Sequence, residues 1–502
     1  VSFLPKSLLV VLLTACWSEP SAEPEAIEAA TDPSPAPDED GPTKDKASDK
    51  KSHKDKKSDK DKKSDKDKKK DDKKRRPPTI DPDGTAPGGD LDKPMTVVMI
   101  IMDTVRAESM SICGYKRRTT PYLERLREEF GLTGSCRAYS PATWTLPSHA
   151  TYFTGLTPLE HKTDQFGFRL PPDLGTTLAE EMTGKGYTTA LFAANPALAK
   201  SGLERGYEHV RFGNDLLELR HPHFEPVFDT FLGSMPQDEP LFLTVNLIDA
   251  HDPYPAIPED VPWADPQPSL RLHVRDEATD GRYHQFMRGE MEREDAAKYM
   301  RRIRDSYDYG VYLEDQNIKA VIQSLRDHDR LPGPFRLVIV SDHGEFVGEH
   351  KLLRHNAYVW EPVVRVPLFF HDNTRDGPPT IDGPISATVS RDLVLTGDLP
   401  EKLPPVRSWS RYMPKRPVKP GRDMTALWTA GQPKLIWGDD RVVQVDVERD
   451  PEEKDRRPVE EHPQLELFEE QVAEYTAHLE GTKNDAPDED ALDALRELGY
   501  VE

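Results

Sequence analysis

Four short apolar runs in this 502-residue chain each end on a polar residue able to do chemistry. Residues 95–102 run into Asp103, 188–194 into Asn195, 241–248 into Asp249, and 337–341 into Asp342. Runs of that length, separated by helical periodicity, predict parallel strands buried on both faces. Ligand crevices of open α/β sheets lie beyond the carboxyl ends of the strands, so four such ends would bring their polar groups to one site. Taken singly, each residue reads better as an ordinary strand-ending turn; the coincidence of four favours a site. The fourth run continues as Ser341-Asp342-His343-Gly344-Glu345, where a carboxylate and an imidazole side by side read as a metal site.

Charge is spread unevenly. Residues 44–76 hold 16 Lys, 2 Arg and 9 Asp, with Ser-Asp-Lys-Asp-Lys-Lys repeated at 58–63 and 64–69. Having no apolar side chain larger than alanine, that stretch cannot offset its ordering entropy by burial. With its Pro-rich flanks, residues 17–94 read as a disordered tether. Residues 1–94 carry 20 Lys or Arg against 21 Asp or Glu, so nearly all of the net charge of −23 belongs to the remainder. A domain that acidic excludes nucleic acid as a partner, because such binding relies on Lys and Arg at phosphates. The tether either touches anionic polymers or headgroups or serves only as a spacer.

Lys6 precedes an apolar run at 8–13 that is too short to span a bilayer and suits an export signal. Its end, Leu13-Thr14-Ala15-Cys16, resembles a bacterial lipobox, which makes residues 1–16 a lipoprotein signal peptide and Cys16 the lipidation site. The chain is then exported and lipid-anchored to the bacterial cell envelope, at the outer membrane or cell surface. The alternative is an ordinary secretory signal with an incidental cysteine. Cys113 and Cys136 are the other two cysteines, too few for a disulfide framework.

A further segment reads Thr145-Leu146-Pro147-Ser148-His149 and continues to Gly155. Pro147 suits the first turn of a helix and Gly155 its end, which places Thr145 at the helix N-terminus. Free N–H groups and the positive end of the helix dipole favour an anion there, although a simple capping threonine reads the same way.

In order and wording these segments resemble the sulfatase branch of the alkaline phosphatase superfamily. The resemblance runs from Val97–Ala107 through Gly114-Tyr115, Thr119-Thr120-Pro121, the Thr145–Gly155 segment, His161 and Ala194-Asn195-Pro196. It continues through Asp249-Ala250-His251-Asp252-Pro253-Tyr254, Ser341–His350, His355, Arg365-Val366-Pro367-Leu368 and Asp446–Pro451 to Leu495–Tyr500. It implies an α/β, alkaline-phosphatase-like three-layer sandwich at 95–395 with a smaller C-terminal subdomain at 396–502. It also implies a divalent metal at Asp103, Asp342 and His343, with Thr145 at the nucleophile position. His251 would face the substrate anion, and His149, His161 and His355 are candidates to protonate the leaving oxygen. His161, Asn195 and Asp249 would bind substrate. Asp249 and His251, two apart, would share one face of a strand. They would either complete a second metal site with His355 or hydrogen-bond the transferred group.

The departures from the family pattern carry information too. Sulfatases convert a Cys or Ser into formylglycine, and Thr145 cannot give that aldehyde; His149 stands where the family has Arg. Met102-Asp103 replaces an Asp-Asp pair and Asp342-His343 an Asp-Asn pair. An imidazole in place of an amide oxygen favours Zn2+ or Mn2+, with Ca2+ still possible. Thr with Asp and Asp-His is the set of related phosphodiesterases and phosphoethanolamine or phosphoglycerol transferases, which favours phosphoesters over sulfate esters. The expected partner is a small-molecule, glycan or lipid ester. The alternatives are an arylsulfatase-like activity, an envelope transferase and an inactive binding module.

The remaining expectations are structural. Leu123, Leu126 and Phe130 after Thr120-Pro121 predict a capped amphipathic helix. Tyr307, Val311, Ile318, Val321, Ile322 and Leu325 form a helical core stripe. Residues 270–304 are an insertion or lid, and 434–437 with 442–447 a hairpin.

Overall fold

Thr96–Met102 (β1) is buried along its whole length because successive side chains enter two different cores. Val98, Ile100 and Met102 join one cluster, Val97, Met99 and Ile101 the other. Only a strand sandwiched between two helical layers needs that composition. In this computed structural model the described residues are 96–481, apart from 165–168, 200, 215–216, 268–271, 273, 275–276, 356, 376, 378 and 412–423. The signal, Cys16, the tether and the Leu495–Tyr500 segment lie outside the described residues.

The main sheet has eight strands. After β1 come β2 (Thr133–Tyr139), β3 (Thr188–Ala193), β4 (His209–Phe212), β5 (Leu241–Leu247) and β6 (Phe335–Ser341). A two-residue hairpin follows, β7 (Phe346–Val347) with β8 (Leu353–Arg354), and then β9 (Arg365–Asp372) and β10 (Ile385–Ser386). The order across the sheet is β10-β2-β9-β6-β1-β5-β3-β4. The four runs singled out in the sequence are its contiguous centre, β6-β1-β5-β3, and all pair in parallel. Register sets Met102 level with both Leu247 and Ser341, and Ala193 level with Asn246, so all four strands exit at one edge. Across the sheet β5, β3 and β4 lie on one side of β1, and β6, β9, β2 and β10 on the other, so the exits of β1 and β6 stand side by side near its middle.

Ten α-helices are described: α1 (Pro121–Phe130), α2 (Thr145–Thr154), α3 (Pro158–His161), α4 (Leu178–Gly184), α5 (Phe224–Gly233), α6 (Glu277–Arg288), α7 (Arg293–Asp327), α8 (Glu361–Val364), α9 (Ser390–Thr396) and α10 (Leu465–Gly481). One face of the sheet carries α1, α5 and α7, the other α2, α4 and α9. The predicted stripe from Tyr307 to Leu325 lies on α7 and is fully buried. Helix α1 forms where expected, but its cap is tertiary: Asp315 of α7 accepts from the backbone N–H groups of Tyr122 and Leu123, each at 2.8 Å, while Thr120 makes no side-chain cap. Residues 270–304 supply α6 and the first turns of α7, and Leu272 pairs with Tyr254 through two 2.9 Å backbone hydrogen bonds.

A separate antiparallel sheet holds β11 (Val406–Ser410), β12 (Met424–Trp428), β13 (Lys434–Gly438), β14 (Arg441–Val445) and β15 (Arg457–Pro458), with the predicted hairpin at β13–β14. Its buried Lys434 meets Glu453 at 2.6 Å and Glu361 of α8 at 3.3 Å. Cys113 and Cys136, too few for a framework, are nonetheless joined in one disulfide that ties the loop before α1 to β2.

Candidate active site

At the adjacent exits of β1 and β6, Asp103, Asp342 and His343 each offer a ligand atom, and these atoms lie within 4.8 Å of one another, all buried. Local structure fixes each of them. The backbone N–H groups of Thr104 and His343 donate to Asp342 Oδ1, at 3.1 and 2.8 Å. Thr104, two residues past the end of β1, adopts a positive φ of 61°, rare for a β-branched residue. His343 Nδ1 donates to the Gly344 carbonyl at 2.9 Å, which puts its proton on Nδ1 and the lone pair on Nε2.

Two carboxylate oxygens of this group, Asp103 Oδ1 and Asp342 Oδ2, are buried without a hydrogen-bond donor. Burial raises the Asp103 carboxyl to about 7 and lifts Asp342 well above the usual carboxylate range, with Asp103 adding to the effect. The same burial drives the His343 imidazole well below its ordinary value, so it is neutral. Two acids facing each other beside a neutral imidazole are an unfavourable arrangement for protein alone and a good one around a cation. Two carboxylates and an imidazole nitrogen fit a divalent transition ion.

Thr145 opens α2, whose first turn is buried and whose N-cap residue Trp144 makes no side-chain cap. Its Oγ1 lies 3.4 Å from His343 Nε2. Tyr152, two turns on, donates to the Ser341 carbonyl at 2.9 Å and anchors the helix to the end of β6. Asn195 Nδ2 donates to Asp103 Oδ2 at 2.7 Å and lies 3.4 Å from Thr145 Oγ1, and its Oδ1 accepts from Ala197 N–H.

The other histidines separate. His149 sits behind Asp342, its Nδ1 donating to the Thr145 carbonyl at 2.9 Å and its Nε2 lying 3.4 Å from Asn246 Nδ2; burial lowers it to about 4. His161 ties α3 to α2: Nδ1 accepts from Thr163 N–H at 3.0 Å, Nε2 meets Thr151 Oγ1 at 3.1 Å, and burial lowers it to about 3. His355 is beside the centre, its ring 4.3 Å from that of His343 and 5.2 Å from that of His251, and its Nδ1 donates to Glu345 Oε1 at 3.1 Å.

The Asp249/His251 pairing does not form as a strand would make it. β5 ends at Leu247, so both residues lie in the following turn, where alternation no longer applies. Asp249 Oδ1 accepts from His221 N–H at 2.9 Å and Oδ2 from Asn317 Nδ2 at 2.6 Å. Among the described residues only Asp103, Asp342 and His343 group as metal ligands, with no second centre at Asp249, His251 and His355.

Sequence reasoning missed Asn246, Glu345 and Arg220. Asn246 lies on the α2 face of β5, and its Nδ2 is 3.4 Å from both Asp103 Oδ2 and His149 Nε2. An amide inside the mostly apolar run Leu241–Leu247 was the signal for it. Glu345, three residues after Asp342, accepts from His355 and from Tyr254. Nothing in its local sequence marks Arg220.

A family model described as Sulfatase matches residues 95–396. No curated relative matches the sequence at a significant level. Among solved structures, BT4656 in complex with its substrate D-glucosamine-2-N,6-O-disulfate is 15% identical with a TM-score of 0.54, over 78% of this chain and 99% of that one. The phosphonate monoester hydrolase of Agrobacterium radiobacter is 15% identical with a TM-score of 0.57, over 76% and 96%. That of Silicibacter pomeroyi is 18% identical with a TM-score of 0.52, over 78% and 96%. At such identities these likenesses establish the shared fold, and the family match covers more than half of the chain. The chain belongs to the sulfatase family.

Proposed function

We propose that this protein is a metal-dependent ester hydrolase that attacks through Thr145 and prefers phosphoesters to sulfate esters. The observation that carries the reading is Thr145 Oγ1 at the start of α2, 3.4 Å from His343 Nε2 and 3.4 Å from Asn195 Nδ2. Asp103, Asp342 and His343 would hold the ion, Zn2+ or Mn2+ ahead of Ca2+, which would lower the pKa of the Thr145 hydroxyl and neutralise charge on the transferred group.

The protein's own groups do the rest. The α2 N-terminus presents first-turn N–H groups and the positive end of its dipole to the transferred group. Asn195 holds Asp103 and orients Thr145. In-line attack forms the bond from Thr145 Oγ1 to phosphorus, its hydroxyl proton passing to solvent, and breaks the bond to the leaving oxygen, which takes a proton. His355, its ring 4.3 Å from that of His343 and its Nδ1 held by Glu345, would give it from its doubly protonated form. Water then reverses the geometry and frees Thr145. His251 is held neutral by burial and by the nearby His355, Arg354 and Arg220; an anion bound beside it would favour its protonated, donating form. The absence of a convertible Cys or Ser at position 145 supports phosphoryl over sulfuryl transfer.

The Cys113–Cys136 disulfide suits an oxidising compartment, in keeping with export and lipid anchoring at Cys16. The test is to assay the purified protein in parallel on an aryl sulfate, a phosphomonoester and a phosphodiester, with Thr145→Ala and Thr145→Ser alongside. The phosphodiester should be turned over fastest, Thr145→Ala should lose several orders of magnitude in rate, and Thr145→Ser should keep part of it. Strong sulfatase activity that survives Thr145→Ala would overturn both nucleophile and preference.

A further inference from the structure

Arg220 is the largest fully buried side chain of the described residues, and it lies 29 residues before the turn that it organises. Its guanidinium donates to the carbonyl oxygens of Asp249 at 3.2 Å, His251 at 2.8 Å and Pro253 at 2.8 Å. These alternate carbonyls of one turn point their negative ends at a single spot. A planar fork with five N–H donors fits that arrangement, whereas an ammonium on a shorter stem does not reach all three.

The contact is reciprocal. His221, next in the chain, donates its backbone N–H to Asp249 Oδ1 at 2.9 Å, so the 220–221 segment and the turn each hold the other. Helix α7 closes the opposite side: Glu314 Oε1 accepts from Ala250 N–H at 3.0 Å and Asn317 Nδ2 donates to Asp249 Oδ2 at 2.6 Å. Gly310 of α7 lets the helix come so close that an added Cβ would stand 2.5 Å from the Asp249 carbonyl oxygen. The ring of His251 is fixed in turn by its own Nδ1, which donates to the Asp252 carbonyl. That bond leaves the lone pair on Nε2, with the His355 ring 5.2 Å away.

We infer that Arg220 is a positioning residue for His251: by gathering the carbonyls of Asp249, His251 and Pro253 onto one guanidinium, it sets where the His251 imidazole stands relative to the site at Thr145. The inference rests on the proposed role of His251 toward the substrate anion for its catalytic consequence, but not for its structural one. The three carbonyls that Arg220 holds belong to the turn and not to Thr145 or the ion ligands.

Two measurements on the full chain test it. The first needs no substrate: hydrogen exchange of the amides of Asp249 to Asp252 and of Tyr254 in Arg220→Lys should rise, while amides of β1 and β6 keep their protection. Unchanged exchange in that turn overturns the inference whatever the enzyme does. The second is a double-mutant cycle with Arg220→Lys and His251→Ala, read as kcat and KM on bis-para-nitrophenyl phosphate. Arg220→Lys alone should lower kcat on the order of 10- to 100-fold, the usual range for residues that orient a functional group, with KM little changed. In the His251→Ala background the same change should cost less than about twofold, because a residue acting through another has nothing left to position. Equal losses in both backgrounds, or a loss that tracks a general fall in thermal midpoint, would make Arg220 a structural residue only. If His251→Ala leaves kcat intact while exchange in the turn responds to Arg220→Lys, the positioning stands and the proposed role of His251 falls.

Discussion

Asn195 Nδ2 lies 2.7 Å from Asp103 Oδ2, so an amide leaving β3 satisfies one oxygen of a carboxylate leaving β1 and leaves the other, Oδ1, without a donor. The same amide is 3.4 Å from Thr145 Oγ1. One side chain therefore joins the candidate ion site to the candidate nucleophile.

Removing it should affect both. The Asn195 bond lowers the Asp103 pKa, so Asn195→Ala raises it and lets protons compete better with a metal. Activity should fall on the order of 10- to 100-fold and metal affinity with it, most strongly at acid pH. Metal titrations of the variant at two pH values check this; equal affinity to the parent at both would count against it.

Stripping divalent ions should make stability depend on pH with a definite sign. Burial raises the folded Asp103 pKa from 3.8 to about 7, and Asp342 moves the same way. A folded value above the unfolded one means that folding favours the protonated acid. That contribution is complete below about pH 4, near the unfolded value, and is lost as pH rises through about 7. Chelator-treated protein should thus lose on the order of a few kcal/mol across that window, and Zn2+ or Mn2+ should restore it at the upper end. Thermal melts with and without ion read this directly. Identical pH profiles would argue that no ion binds between these acids.

The single disulfide closes a loop spanning 23 residues, from Cys113 to Cys136. A cross-link over that length is worth roughly 3 kcal/mol through the unfolded chain. Cys113→Ser should lower the denaturant midpoint accordingly, and reductant should do the same to the parent but nothing to the variant. A reductant effect of equal size in the variant would place the stabilisation elsewhere.

Membrane attachment has a simple test, since no helix among the described residues is long and apolar enough to cross a bilayer. With Cys16→Ser, a membrane-associated protein should become soluble or accumulate unprocessed. Fractionation unaffected by the change would remove the lipid anchor from the proposal.

How much of this was legible beforehand differs by residue, for physical reasons. Asp103, Asp342 and His343 could be read because strand exits are local: an apolar run of fixed length ends and the next residue is polar. Thr145 was legible because Pro147 and Gly155 bracket a helix by backbone chemistry alone. The parallel pairing of the four runs followed from their being apolar on both faces. Asp249 and His251 misled because the alternation that pairs them applies only inside a strand, and β5 stops at Leu247. Where a strand ends is decided by pairing partners, which the local sequence does not contain.

Other features belong to the tertiary structure alone. The cap on α1 comes from Asp315, almost two hundred residues away, rather than from its own Thr120. Asn246 matters because α2 happens to cover its face of β5, and Arg220 because a loop from one side of the sheet reaches the turn after β5. Thus the sequence by itself determined the elements, the family and the polar residues at the strand ends. Only folding decided which of those residues meet, because sheet order, helix layering and burial bring distant groups within a few ångströms and set their protonation.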